Sequence, residues 1–146
     1  MKKLGLIALV LLILAGAAAF IVYKYVYNKP HTDYAKAKAD LSVNARQLWT
    51  DYSTNKDIAD KKYTGKVLEI DGNILRVETV EDMVIVVFAY REGDFGDEGI
   101  RVTMLPAYHQ AAKGIDPLKN VKIKGICTGY NDTDVIMESG SIVGNQ

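Results

Sequence analysis

The chain opens on a run of nineteen residues without a charge, Leu4 to Val22. At a helical rise of about 1.5 Å per residue, this run crosses most of a roughly 30 Å hydrocarbon core. Lys2 and Lys3 precede it, and Tyr23, Tyr25 and Tyr27 follow, with Lys24 and Lys29 between and after them. Aromatic rings at headgroup depth and lysines reaching into water are how a membrane-inserted helix ends. The pattern predicts an anchor in the lipid bilayer over residues 1–23, with Leu4, Leu12 and Phe20 in the apolar stretch and Tyr23 and Tyr25 at its edge.

A cleaved secretory signal competes for the same residues, with Lys2-Lys3 as n-region, Leu4 to Leu14 as h-region and Ala17-Ala18-Ala19 as an A-x-A site. Against it, the apolar run continues through Phe20, Ile21 and Val22. Both readings send the chain to a membrane. No cysteine lies near the small residues, so a lipid-modified N-terminus is not supported. Flanking lysines are nearly balanced, but a short basic tail with the folded part behind it is the signal-anchor layout, which puts that part outside the cytoplasm. Ala15-x-x-x-Ala19 and Gly16 are small enough to let two such helices pair.

Pro30 ends the helical pattern, because proline lacks an N–H and disfavours the helical region for Lys29. Residues 24–43 read as a stalk. From Tyr34 onward Ala35, Ala37, Ala39, Leu41 and Val43 alternate with polar residues, a strand-like period in poor strand formers. Asn44 suits an N-cap, with Gln47 placed to complete a capping box. The spacing of Leu48, Trp49 and Tyr52, then of Ile58, Ala59 and Tyr63, predicts helices over about 45–54 and 56–62. Trp49 reads as a packing residue between this helical segment, 44–62, and the domain that follows.

From Tyr63 the period becomes two. Val67 to Val80 is either one long bent strand or a hairpin, since Gly72 permits a bulge or a turn equally. Met83 to Tyr90 is apolar on both faces, which predicts a central strand covered on both sides, the Trp49 helix being the expected second cover. Arg91 to Gly99 reads as a glycine-rich acidic loop. Ile100 to Leu105 reads as a strand, Pro106 to Lys113 as a short helix stopped at Gly114, Val121 to Thr128 as a strand, and Val135 to Val143 as the last, broken near Gly140. That order over residues 63–146, with N-terminal helices ahead of it, predicts a mainly β fold. It is a five-stranded oligonucleotide/oligosaccharide-binding (OB) barrel with a short helix between strands 3 and 4.

Charge narrows the function. Lys and Arg balance Asp and Glu at 18 each, yet residues 1–62 carry a net charge of plus five and residues 63–146 minus five. A net-negative domain is a poor start for a groove that tracks phosphates. With a single cysteine, Cys127, no disulfide forms within the chain, and the thiol reads as a small buried hydrophobe. His31 and His109 have no nucleophile or acid near them in sequence that would make a triad more than coincidence, so no catalytic residue is assigned. Glu92, Asp94, Asp97 and Glu98 match no calcium-loop spacing, and no metal or cofactor is expected. A ligand face on strands two and three would draw on Tyr90, Arg91, Arg101, Tyr108, Lys122 and Lys124, while Phe88 and Tyr90 share their parity with core valines.

The segments NKPH, ADLSVNARQLWTDY, KYTGKVLEIDG and VKIKGICTGYNDTDVIMESGSIV resemble the tRNA-anti-like family of OB-fold proteins from Bacteroidetes-type bacteria, over about residues 28 to 143. The most specific part is Lys124-Gly125-x-Cys127-Thr128-Gly129 followed by Asp134-Val135. The resemblance implies a tethered OB domain with no established activity, and it supplies no catalytic residues. Relatives carry a second cysteine where Gly140 stands and another near Val102 or Thr103; if these pair with the equivalent of Cys127, this chain has lost the link. The expectation is a non-enzymatic, single-pass protein of the bacterial inner membrane. Its periplasmic domain would bind a protein partner or a small ligand, with nucleic acid unlikely; a tethered nucleic-acid binder facing the cytoplasm is the alternative.

Overall fold

The computed structural model describes Gly16, Ala17, residues 34–94 and residues 96–144. The chain divides into two units, Met1–Thr32 and Asp33–Gln146. Anchor residues Leu4, Leu12, Phe20, Tyr23 and Tyr25, the Ala15 to Ala19 spacing and His31 lie outside the described residues. Among the described residues, no helix is long and apolar enough to cross a membrane.

The question left open at Gly72 is settled by pairing. β2 (Val67–Asn73) and β3 (Arg76–Val80) do not pair with each other; β2 runs antiparallel to β6 (Asn120–Tyr130), and β3 antiparallel to β4 (Met83–Gly93). They are two halves of one long strand bent at Ile74-Leu75, where Ile74 turns inward and the Leu75 N–H still donates to Val87 O at 2.7 Å. Gly72 makes no turn. A Cβ there would meet the Ala45 Cβ at 3.2 Å, so glycine serves the close approach of the following helix.

With β1 (Leu41–Asn44), β5 (Gly96–Met104) and β7 (Val135–Ile142), the strands form one sheet in the order β1-β2-β6-β7-β5-β4-β3. The β5–β7 pair is parallel, and the β4–β5 and β6–β7 pairs are antiparallel. The sheet is open and seven-stranded by hydrogen bonding, where sequence predicts five strands. The bend divides the first strand in two, and the stalk adds β1, parallel to β2. Because β2 and β3 stand near opposite ends of the order yet are joined by two residues, the sheet rolls upon itself. The result is mainly β with a few helices, consistent with an OB-like fold.

Helix α1 (Ala45–Thr54) packs against β1, β2, β4, β5 and β7. Its buried Leu48, Trp49 and Tyr52 join Ile70, Phe88, Ile100 and Met137 in one core. Asn44 caps it, its Oδ1 accepting from the Arg46 N–H at 3.0 Å. The expected capping box does not form, because the Gln47 side chain donates to Asp51 instead. Helix α2 (Lys56–Tyr63) follows, capped by Asn55. A 3-10 turn (Pro106–Tyr108) leads into α3 (His109–Lys113), which ends at Gly114 and packs on β4 through its neighbourhood of Ala112.

Two expectations are corrected. The acidic segment from Arg91 to Gly99 is not a loop: β4 and β5 continue through it, with Glu92 opposite Asp97 and Arg91 opposite Glu98. Cross-strand ion pairing and the empty side of Gly93, which Glu98 occupies, hold the strands together there. The α1 helix also covers the inward face of β4, with Val84, Val86 and Phe88, and not its second face. On the outward face Val87 is only 1% exposed, flanked in register by Arg76 and Arg101.

Candidate functional site

The outward face of β3, β4 and β5 is where an OB domain would place basic groups for a nucleic-acid strand. Here alternation sets Arg76 and Glu78 beside Arg101, and each guanidinium is already taken. Arg76 donates to Glu78 at 2.8 Å and Asp97 at 2.6 Å. Arg101 donates to Glu78 at 3.1 Å and to Asp134 at 2.9 Å. The other Asp134 oxygen accepts the buried Gly99 N–H at 2.9 Å. Asn131 fixes the loop behind it by accepting from the backbone N–H groups of Thr133 and Asp134. Two arginines and three carboxylates close this face with a net negative charge.

The six residues expected to share a ligand face are dispersed. Arg101 belongs to the network just described. Arg91 donates to Glu98 at 2.7 Å and lies over the Trp49 ring at 5.5 Å. Tyr108 packs against the core from the 3-10 turn. Lys122 and Lys124 lie on the outward side of β6, where Lys122 faces Glu69 at 3.7 Å. The Lys124 ammonium donates to Ala35 O and Ala37 O, both at 2.7 Å, holding residues 34–40 against the sheet. Tyr90, at a register shift between Ala89 and Arg91, stays on the side of Phe88: its ring packs against the core, 6.0 Å from the Trp49 ring centre, and the residue lines a cleft.

That cleft, 350 Å³ in volume, opens at the bend between β2 and β3. Its polar groups are Arg46 from the first turn of α1, Tyr90 from β4, and Asn73 and Asn120, direct partners across β2 and β6. The Arg46 guanidinium lies 4.7 Å from the centre of the Tyr90 ring. Burial, with a smaller push from the Asp71 charge and against the pull of Arg46, raises the Tyr90 hydroxyl to about 12. It stays protonated and neutral at physiological pH. Sequence reading missed Arg46, Asn73 and Asn120. The signal present was the break at Asp71-Gly72-Asn73, which marks where the wall of the sheet opens.

Other reactive groups are held in structural roles. Cys127 is fully buried and burial pushes its thiol up; the Tyr52 hydroxyl sits 3.4 Å from its sulfur and also bonds the Thr64 hydroxyl. A side chain at Gly140 would face Val102 at 2.8 Å and Met104 at 2.7 Å, whereas Cys127 stands opposite Met137. The His109 ring bonds Met104 O at 3.1 Å and faces no nucleophile in any described bond. Glu98 and Asp97 of the acidic segment are committed to arginines.

An OB-like domain with an open polar cleft and a closed outer sheet face is the class of molecule these features define. The chain belongs to the tRNA_anti-like family, whose model matches residues 1–141. Comparison with curated proteins finds no match. Among solved structures, a putative nucleic acid-binding lipoprotein from Klebsiella pneumoniae subsp. pneumoniae MGH 78578 is similar at a TM-score of 0.50 and 17% identity, covering 80% of this chain and 100% of that one. A putative aspartyl-tRNA synthetase from Leishmania major Friedlin aligns at a TM-score of 0.45 and 10% identity, covering 90% of this chain and 26% of that one. The Klebsiella likeness shows the shared fold.

Proposed function

We propose that this protein is a non-enzymatic binding module of the bacterial envelope. Its OB-like domain is held at the inner membrane by the apolar segment Leu4 to Val22 and displayed on the periplasmic side to a protein partner or small ligand. The observation that carries this reading is the ion network of the outer sheet face. A strand of nucleic acid is bound by neutralising its phosphates, and Arg76 and Arg101 are already neutralised by Glu78, Asp97 and Asp134. The acidic balance of residues 63–146 acts in the same direction.

The second reading, a tethered nucleic-acid-binding domain facing the cytoplasm, draws on the name of the Klebsiella protein and on the family's. Two measurements separate them. Protease added to spheroplasts degrades an exported domain and spares a cytoplasmic one, so protection of residues 34–144 overturns the proposed topology. Fluorescence anisotropy with single-stranded DNA and RNA oligomers at low salt is expected to show no saturable binding. Binding that weakens steeply with salt establishes the second reading.

A further inference from the structure

The domain has four arginines: Arg46, Arg76, Arg91 and Arg101. Three of them are ion-paired to carboxylates. Arg46 has no carboxylate within ion-pair distance among the described residues, yet its guanidinium is not loose, because it rests on the Tyr90 ring at 4.7 Å. Stacking of this kind holds a planar cation in place while leaving its in-plane donors open. The same cleft collects three more polar groups without a protein partner among the described residues: the amides of Asn73 and Asn120 and the Tyr90 hydroxyl. Asn44, at its edge, is fully engaged with Arg46 and Asp71 and serves as scaffold. Gly72 keeps the floor open, since a Cβ there would approach the Tyr90 hydroxyl at 3.4 Å.

We propose that this cleft binds a small hydroxylated carboxylate of the sugar-acid type, its carboxylate on Arg46 and its hydroxyls on Asn73 and Asn120. The assignment rests on the reading of the domain as a binding module. A guanidinium with open donors matches a carboxylate. Asparagine amides both donate and accept, as sugar hydroxyls do. Charge favours a monoanion over phosphate: Arg46 supplies one positive charge, and the Asp71 carboxylate, 3.5 Å from the amide of Asn44 at the edge of the cleft, repels a dianion about twice as strongly as a monoanion. The volume, 350 Å³, lies at the low end of the range of about 300–1,000 Å³ for ligand clefts and suits one sugar ring.

The test is isothermal titration calorimetry of the full chain in detergent micelles, with glucuronate, glucose, acetate and inorganic phosphate as separate titrants. Glucuronate is expected to bind saturably, and the other three at least about 10-fold more weakly, since each lacks one half of the match or carries excess charge. Arg46→Gln, which removes the cation, and Asn120→Asp, which adds a like charge at the same size, each weaken glucuronate by about 10- to 100-fold. Arg46 and Asn120 are exposed, so both variants keep the thermal midpoint of the parent, which separates lost binding from lost folding. Absence of saturable heat with glucuronate, equal binding of acetate or phosphate, or unchanged binding by either variant overturns the proposal. Those results leave the module reading standing, because that reading fails on protease protection or oligonucleotide binding instead.

Discussion

Arg101 and Asp134 meet at 2.9 Å, and the carboxylate that takes the guanidinium also takes the Gly99 N–H. Asp134 is 7% exposed, so its removal strands a backbone donor as well as a charge. Asp134→Ala is expected to cost about 2–4 kcal/mol, measured as a fall in the urea midpoint at unchanged slope.

Masking of the arginines is testable by a gain. Glu78→Gln with Asp97→Asn removes two of the three acids around Arg76 and Arg101. The double variant is expected to acquire weak, salt-sensitive affinity for single-stranded oligomers that the parent lacks, read by fluorescence anisotropy. No gain would mean that the surface is unsuited to nucleic acid for reasons other than charge pairing.

Trp49 joins α1 to the far end of the sheet: its ring is buried and its Nε1–H donates to Thr133 O at 3.2 Å. Trp49→Phe loses chiefly the hydrogen bond, about 1 kcal/mol, whereas Trp49→Ala also leaves a cavity and costs about 3–5 kcal/mol. Urea titration followed by circular dichroism orders the two variants.

The Lys124 ammonium and the Asp40 carboxylate, which accepts the Val67 N–H at 2.8 Å, fasten residues 34–40 to the sheet. Lys124→Met keeps the stem and removes the donors. Tryptic cleavage after Lys38 should then accelerate several-fold with the thermal midpoint little changed, and an unchanged cleavage rate would assign the fastening to Asp40 alone.

Asp51 carries the pH dependence. Burial by itself would raise its pKa, but hydrogen bonds from Tyr63, Lys62 and Gln47 outweigh burial and hold it below the ordinary 3.8. A group depressed in the folded state lends stability that is complete above its unfolded value and is lost as pH falls through the folded one. Unfolding free energy is therefore expected to fall below pH 3.8, and Asp51→Asn should flatten that acid limb in urea titrations taken at stepped pH.

Much of the architecture was legible because it follows from local periodicity. Leu48, Trp49 and Tyr52 announce α1, the alternation after Tyr63 announces β2, β3 and β6, and the apolar run from Met83 to Tyr90 announces most of β4. What sequence could not show depends on register between distant segments. The acidic run after Tyr90 looks like a loop until Arg91 is seen opposite Glu98, Glu92 opposite Asp97 and Gly93 opposite Gly96, a pairing that composition does not reveal. The residues of the expected ligand face are set apart for the same reason. Arg101, Lys122 and Lys124 are basic and on strands, but each is consumed by a partner 23 to 89 residues away or across the sheet, while Arg46, which nothing in the sequence singles out, is the arginine without a carboxylate partner among the described residues.

β1 gives the domain a mechanical entrance. A pull applied at Tyr34 meets the two Lys124 bonds, then the paired bonds of Asp40 with Val67, and then the four-residue β1–β2 ladder, before it reaches Leu48 or Trp49. These attachments yield in series, each weaker than the core behind them. Tension is therefore converted first into length, by peeling about ten residues of chain off the sheet, while the cleft floor at Gly72 and Tyr90 stays folded.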